Sequence, residues 1–280
     1  MAQDYERRLL RVIDHIHDHP AGDLSLDALA EVAALSRFHF HRTFRVLTGE
    51  TVVQTVRRMR LHRAAVALLA GREPLDRIAR SVGYPNRQSF SRAFAEAYGL
   101  PPARYRTRGE LRPFSIAQSR EVCPMPDVVI RTEPARTLAA MAHWGPYPEI
   151  GRAFEKLFAA ISARGLLGRT GRMVGVYYDD PSTVPAADLR SHAGVEFPET
   201  DMAAPLEPVH LPAGRHAVLT VRGPYSGLPA AYDQLYAVWL PQSGEEPADS
   251  PPFEIYLNAP MDTPQEALLT EICIPLKRAA

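Results

Sequence analysis

The sequence predicts an all-α N-terminal domain, two helix-turn-helix units joined by a long helix, followed by an α+β C-terminal domain. The second domain is expected to hold duplicated strand and helix units, forming a pseudo-two-fold antiparallel sheet with two helices on one face. Three observations carry this. The chain has 280 residues, more than one domain usually needs. Apolar residues recur at three-and-four spacing with little proline up to about residue 108, and in short alternating runs afterwards. Charge divides at the same place. Residues 1–110 hold 18 Arg, no Lys and 12 acids, a net of +6, and residues 111–280 hold 14 basic and 20 acidic residues, a net of −6. The expected boundaries are a helical domain at 1–108, a linker at 109–126 and an α+β domain at 127–280. Within the linker, LRPFSIAQSREVCPMPD has three prolines and no helical period. At 46% hydrophobic and 23% charged, the composition excludes wholesale disorder.

The first half contains a repeat. Phe40-His41-Arg42-Thr43-Phe44 returns as Phe90-Ser91-Arg92-Ala93-Phe94, and Gly49 returns as Gly99, at an offset of 50. Upstream, Leu29-Ala30 matches Ile78-Ala79 at an offset of 49. Ser25 reads as the N-cap of a helix over 26–32, a turn falls at 33–36, and a second helix runs over about 37–47. In the second copy Pro74 sits in the first turn, the helix ends near Val82, and Gly83 allows the turn. Asn86 then opens a helix to about residue 98, which Gly99 closes. Between the copies, residues 52–70 read as one amphipathic helix with Val56, Met59, Leu61, Ala64, Leu68 and Leu69 inside.

A short helix bracing a second one can present that second helix to base edges in the major groove. The second helices carry suitable side chains: Arg37, His41 and Arg42 in one, and Arg87, Gln88, Ser91 and Arg92 in the other. Arginine pairs with guanine in bidentate fashion, and glutamine with adenine. Arg57, Arg58, Arg60 and Arg63 add charge for phosphates along the connecting helix. The competing reading is a helical bundle with a solvated basic face, which the duplication disfavours.

LSLDALAEVAALSRFHFHRTF at 24–44, RRMRL at 57–61, Val82-Gly83-Tyr84, SFSRAF at 89–94 and Gly99-Leu100-Pro101-Pro102 resemble the AraC family of transcription regulators over nearly all of 8–108. That resemblance implies two recognition helices in successive major-groove turns on one face of DNA. Carried over by position, it makes Arg37, His41, Arg42, Arg87, Gln88 and Arg92 the base readers. Ala33-Ala34 fills a turn where the family often has glycine.

The second half repeats as well. Trp144-Gly145-Pro146-Tyr147 corresponds to Arg222-Gly223-Pro224-Tyr225, Tyr177–Pro181 to Tyr256–Pro260, and Val195–Pro198 to Ile272–Pro275, at offsets of 78, 79 and 77. VVIRT, TLAAMAHW, VGVYY, HAVLTV, FEIYL and LLTEICI read as strands, and about 149–164 and 228–240 as helices. Two strand-strand-helix-strand-strand units are therefore expected. The repeated GPY, with FEIYL followed by LLTEICIPL, is similar to the GyrI-like ligand-binding domains of multidrug-responsive regulators.

Strand alternation suggests the ligand site. Phe253, Ile255 and Leu257 are apolar and are expected to face the helices, which sends Glu254 and Tyr256 to the other face. Gly175 and Tyr177 are their equivalents in the sister strand, so the pseudo-symmetry breaks where a carboxylate opposes no side chain. A cleft lined by Tyr177, Tyr256, Trp144, Tyr147 and Tyr225 with one carboxylate suits an amphipathic or cationic aromatic compound. The family resemblance implies an acidic residue on this strand in the drug pocket, which is the place of Glu254. Glu271 is a second candidate. The alternatives are a solvated or salt-bridged Glu254 and plain core packing of the aromatics.

Other constellations are weaker. His15 and His19 have the i, i+4 spacing of metal ligands but no third ligand nearby, so a solvated helix end is expected. Cys123 and Cys273 form no CxxC, which excludes a disulfide framework or cysteine zinc site and fits a reducing cytoplasm. With no Walker loop, GxGxxG or GxSxG, neither a cofactor nor an enzyme is expected. No signal-peptide core or transmembrane run is present, so a cytoplasmic protein without a membrane partner is expected. The whole reads as a ligand-responsive regulator whose partners are double-stranded DNA and a small-molecule effector, with RNA polymerase a further candidate. The rival readings make the C-terminal domain a small-molecule hydrolase, with Glu254 as general acid or base, or a protein-interaction module.

Overall fold

The computed structural model describes residues 2–71, 73–108, 125–198 and 202–278. The chain divides into two compact units, one within Gln3–Glu121 and one within Val122–Ala280. The expected linker falls outside the described residues except for Met125 and Pro126, as does Cys123; Cys273 is buried and unbridged. No described helix is long and apolar enough to cross a membrane.

The first unit is helical: α1 (Ala2–Asp18), α2 (Leu26–Ala33), α3 (Arg37–Thr48), α4 (Val52–Ala70), α5 (Leu75–Ser81), α6 (Arg87–Tyr98) and α7 (Pro102–Arg108). Side chains define the helix starts. Ser25 accepts from Ala28 N, Ser36 from Phe38 N and Asn86 from Ser89 N, while Thr51 and Gln54 form a capping box. Each such cap is worth about 1 kcal/mol. The turns of the two copies share a left-handed residue, Gly83 (φ 80°) in the second and Ala34 (φ 53°) in the first. The alanine holds a conformation that glycine adopts without a Cβ clash.

Two apolar clusters fill the unit. Leu29, Ala33, Phe40, Phe44, Val52 and Val56 meet Val12 and Ile16 of α1 in one. In the other, Leu61, Ala64 and Leu68 meet Ile78, Val82, Phe90, Phe94, Tyr98 and Tyr105. Because α4 feeds both, its length sets the spacing of the two helix-turn-helix copies. Val12 and Ile16 of α1 close the first cluster, a role that neither the repeat nor the residue spacing pointed to.

The second unit runs β1 (Val128–Glu133), β2 (Arg136–Trp144), α8 (Gly151–Ala163), β3 (Met173–Tyr177), β4 (Arg190–Glu196), β5 (Glu207–Leu211), β6 (Gly214–Arg222), α9 (Leu228–Gln234), a π-helical turn (Leu235–Trp239), α10 (Leu240–Ser243), β7 (Phe253–Tyr256) and β8 (Leu269–Pro275). The sheet is antiparallel in the order β1-β6-β8-β7-β3-β4-β2-β5. Two strand-strand-helix-strand-strand repeats are present, and each lends its first strand to the other's half: β1 pairs with β6, and β5 with β2. The seam between them is β3–β7, where Gly175 lies opposite Glu254. The sequence reading had no separate signal for β5, a short edge strand interrupted by Pro208, and caught only the end of β4.

Both faces of this sheet are buried. On one, α8 lays Ile150, Phe154, Leu157 and Ile161 against Ala139, Tyr177, Ala193, Val195 and Tyr256. On the other, Leu138, Val174, Val176, Leu211, Val218, Phe253, Ile255 and Cys273 form a cluster made of strand residues alone. Leu211 on β5 and Val218 on β6 come from opposite ends of the strand order, so the sheet curls and packs on itself. This corrects the expected orientation: Phe253 and Ile255 point into the curl, Leu257 is exposed, and Tyr256 lies on the helix face with Tyr177. Alternation tells which residues share a face, and only packing tells which face meets the helix.

The interlock around Gly83 is testable. A Cβ there would stand 2.6 Å from Pro20 O and 2.7 Å from Arg60 Cζ, whereas one at Gly99 (φ 72°) would meet nothing within 4 Å. Gly99→Ala should cost about 1 kcal/mol from its left-handed backbone, and Gly83→Ala at least about 2 kcal/mol more from the added overpacking. Denaturant midpoints of the two variants check the order. Equal costs would show that Arg60 moves aside freely.

Candidate functional site

The two repeats bring equivalent aromatics to one place. Tyr147, in the Gly-Pro-Tyr turn before α8, sets its ring edge-to-face on Tyr177, with centroids 4.8 Å apart. Tyr225, in the matching turn before α9, does the same to Tyr256 at 5.4 Å. The two halves meet at the seam, where the Tyr177 and Tyr256 hydroxyls lie 2.7 Å apart. Gly175 provides the room, since a Cβ there would come within 2.9 Å of both hydroxyl oxygens. Phe154 of α8 adds an edge-to-face contact on Tyr256 at 5.6 Å. Neither Phe154 nor the packing role of Gly175 was identified from the sequence, although the helical period of α8 and the Gly175–Glu254 equivalence were both visible there.

Glu254 breaks the symmetry. It is 4% exposed, and Tyr256 Oη donates to its Oε2 at 2.8 Å. Burial, together with the adjacent carboxylate, pushes the Tyr177 and Tyr256 hydroxyls well above the ordinary tyrosine range. The same two causes raise Tyr225. The Tyr147 hydroxyl is committed elsewhere, donating to Asp179 O at 2.8 Å and accepting from Asp179 N at 2.9 Å. A carboxylate enclosed by aromatic rings can attract a cation by charge and by the ring faces together.

Two expected members do not join this cluster. Trp144 shares the strand parity of Leu138 and Ala140, pointing away from the Tyr177 face, and is 66% exposed. Glu271 pairs opposite Ile255 and so turns into the curl, where Arg131 clasps both its oxygens. Arg131 also binds Glu133, Arg136 binds Glu133 and Glu196, and Arg172 joins Glu196 at 3.2 Å. Burial alone would raise the Glu133 carboxyl, but the two arginines outweigh it and hold it below the usual carboxylate range. The salt-bridged alternative therefore holds for Glu271.

In the helical unit, Arg87, Gln88 and Arg92 stand exposed on α6, with Ser91 half-buried beside them. On α3, Arg37 is exposed and lies 3.8 Å from Asp27. His41 is 4% and Arg42 8% exposed, within six consecutive buried residues from His39 to Phe44. Neither residue is open to a base edge here, whereas Arg37 at the start of α3 is.

The arginines of α4 also differ from expectation. Arg57 pairs with Glu96 of α6 at 2.6 Å, Arg58 with Glu50 at 2.9 Å, and Arg63 donates to His17 O at 2.6 Å. Arg60 Nε donates to Pro20 O at 2.7 Å, and its half-buried guanidinium is pushed to lower pKa by desolvation. Arg60 thus clasps α4 to the loop after α1.

Residues 126–277 match the GyrI-like small molecule binding domain, and residues 29–108 match a helix-turn-helix domain. The regulatory protein SoxS of Salmonella typhimurium is 32% identical over 104 residues, which are 37% of this chain and 97% of that protein. The HTH-type transcriptional regulator YbfP of Bacillus subtilis is 34% identical over 103 residues, 37% of this chain and 35% of YbfP. The chain thus spans about a third of the length of YbfP. The crystal structure of the EcmrR C-terminal domain overlays 55% of this chain and 98% of that domain, at 15% identity and a TM-score of 0.45. The chain belongs to the GyrI-like small-molecule-binding family and carries that domain behind an AraC-type helix-turn-helix domain, the composition of a ligand-responsive transcription regulator.

Proposed function

We propose that the GyrI-like unit senses a lipophilic aromatic cation, held by the Glu254 carboxylate between the rings of Tyr177, Tyr256, Tyr147 and Tyr225. The helical unit then delivers that signal to a DNA site. The observation that carries the reading is the buried Glu254 carboxylate, whose oxygen receives the Tyr256 hydroxyl inside an aromatic enclosure. A cation beside these rings would add charge attraction and cation–π contact to the hydrogen bonding already there. The Tyr177–Tyr256 pair must part for a ligand to reach it. On DNA, the reading assigns base contacts to Arg87, Gln88 and Arg92 of α6, with Ser91 beside them, and to Arg37 of α3. His41 and Arg42 could contribute only once α3 is uncovered. The relatives matched by the helical unit are transcription regulators, which favours sensing over turnover.

The charge argument is tested by calorimetry with a cationic dye and a neutral dye of the same ring system. Glu254→Gln should weaken the cation by about 2–4 kcal/mol and leave the neutral dye unchanged or tighter. Equal losses for both dyes would make Glu254 a structural residue, and retained binding with lost turnover would favour the hydrolase.

For DNA, Arg92→Ala should cost about 1–3 kcal/mol on a specific site and relax preference at one base position. Arg60→Gln should lower the unfolding midpoint and leave the salt slope of binding unchanged, because its guanidinium is engaged inside the unit. A reduced salt slope in that variant would restore Arg60 as a phosphate contact.

The tyrosine cluster also sets an alkaline limit. Tyr177 and Tyr256 have folded pKa values raised above the unfolded value near 10. Their contribution is therefore fully present below pH 10 and is lost as pH rises from there towards the folded values. Tyr177→Phe should flatten the fall in unfolding midpoint between about pH 9 and 11; an unchanged profile would contradict the assignment.

A further inference from the structure

A second opening lies in the α+β unit, apart from the tyrosine cluster. It is a cavity of about 230 Å³ lined chiefly by Ile161, Arg164, Leu166, Phe197, Met202 and Leu206. At about 30 Å³ per water, that is room for roughly eight waters, close to the nine heavy atoms of benzoate. Ile161 stands seven residues beyond Phe154 on α8, so the cavity sits about 10 Å along the helix from the Tyr256 contact.

Among the described residues, the lining side chains are apolar apart from Arg164. Leu206, Phe197 and Ile161 are buried core residues, and Met202 is half-buried beside them. Arg164 follows the last residue of α8, and its Nη2 donates to Ala203 O at 2.9 Å and Ala204 O at 3.0 Å. These two bonds hold the guanidinium at the cavity without using its other nitrogens. Among the described residues, Nε and Nη1 of Arg164 make no hydrogen bond, and no carboxylate pairs with the group. A guanidinium fixed beside an apolar slot, with Nε–H and Nη1–H left to donate singly, can give a charge-assisted hydrogen bond to the carboxylate of an aromatic acid whose ring fills the slot. Phe197 offers that ring an edge-to-face or offset partner, and the Met202 sulfur a soft one.

We propose that this cavity is a second small-molecule site, which takes a small aromatic carboxylate with its ring against Phe197, Leu166 and Leu206 and its carboxylate on Arg164. The charge it selects is opposite to that drawn by Glu254, and it stands independently of the reading of that cluster.

The test uses the full-length protein with benzoate and its neutral isostere benzamide, by calorimetry and by methyl NMR of labelled methionines. Benzoate should shift the Met202 methyl, leaving Met141 and Met173 beside the tyrosine cluster unmoved, and benzamide should bind at least about tenfold more weakly. Arg164→Gln should reduce benzoate affinity about tenfold or more without changing benzamide. Arg164→Lys, which keeps the charge, should retain most of the benzoate affinity. Ala203→Trp, an exposed rim substitution that spares the core, should block both ligands. Equal binding of benzoate and benzamide, equal binding of benzoate to wild type and Arg164→Gln, shifts confined to Met141 and Met173, or no saturable binding at millimolar benzoate would each overturn the proposal.

Discussion

The pairing of Gly175 with Glu254 across the β3–β7 seam governs how the two repeats of the α+β unit close on each other. Above the glycine, the Tyr177 and Tyr256 hydroxyls come within hydrogen-bonding distance, and a single methyl group at position 175 would collide with both. Each tyrosine carries its own repeat's Gly-Pro-Tyr aromatic, so the seam gathers four rings from two equivalent turns. The carboxylate enters from one side only. An internally symmetric enclosure thereby acquires one charged wall.

The curl of the sheet explains why two acids on neighbouring strands have different fates. Glu254 lies on the helix face, where hydroxyls and rings surround it. Glu271 lies on the opposite face, in a chain of ion pairs running through Arg131, Glu133, Arg136, Glu196 and Arg172. Burying so many charges is tolerable only because each carboxylate meets at least one guanidinium in close geometry. Glu133, on β1, and Arg136, on β2, flank the connection between those strands, so the network ties the two halves of the curled sheet together.

In the helical unit, a basic sequence is not the same as a basic surface. Arg57, Arg58, Arg60 and Arg63 follow one another along α4, yet each finds an acid or a backbone carbonyl within the unit. Their charges still add to the long-range field, which falls off only over about 10 Å at moderate salt. One nitrogen of each, however, is engaged within the unit: Arg57 with α6, Arg58 with Glu50, Arg60 with the loop after α1 and Arg63 with α1. The exposed Arg87, Gln88 and Arg92 of α6 keep theirs available.

The order of elements, both internal duplications, the helix caps at Ser25 and Asn86, and the convergence of Tyr147, Tyr177, Tyr225, Tyr256 and Glu254 were all determined by the sequence. They rest on local rules, namely hydrogen bonds a few residues long, periods of 3.6 and 2, and equivalence between repeats. Tertiary structure alone decided which sheet face meets α8, because alternation is blind to the sign of a curl that buries both faces. It also decided that Glu271 is neutralised by Arg131, 140 residues away in sequence, that Trp144 turns outward, and that Arg60 closes over Gly83. Each of these depends on a partner brought near by the curl or by the crossing of α4 with its neighbours, and such contacts leave no trace in the spacing of residues along the chain.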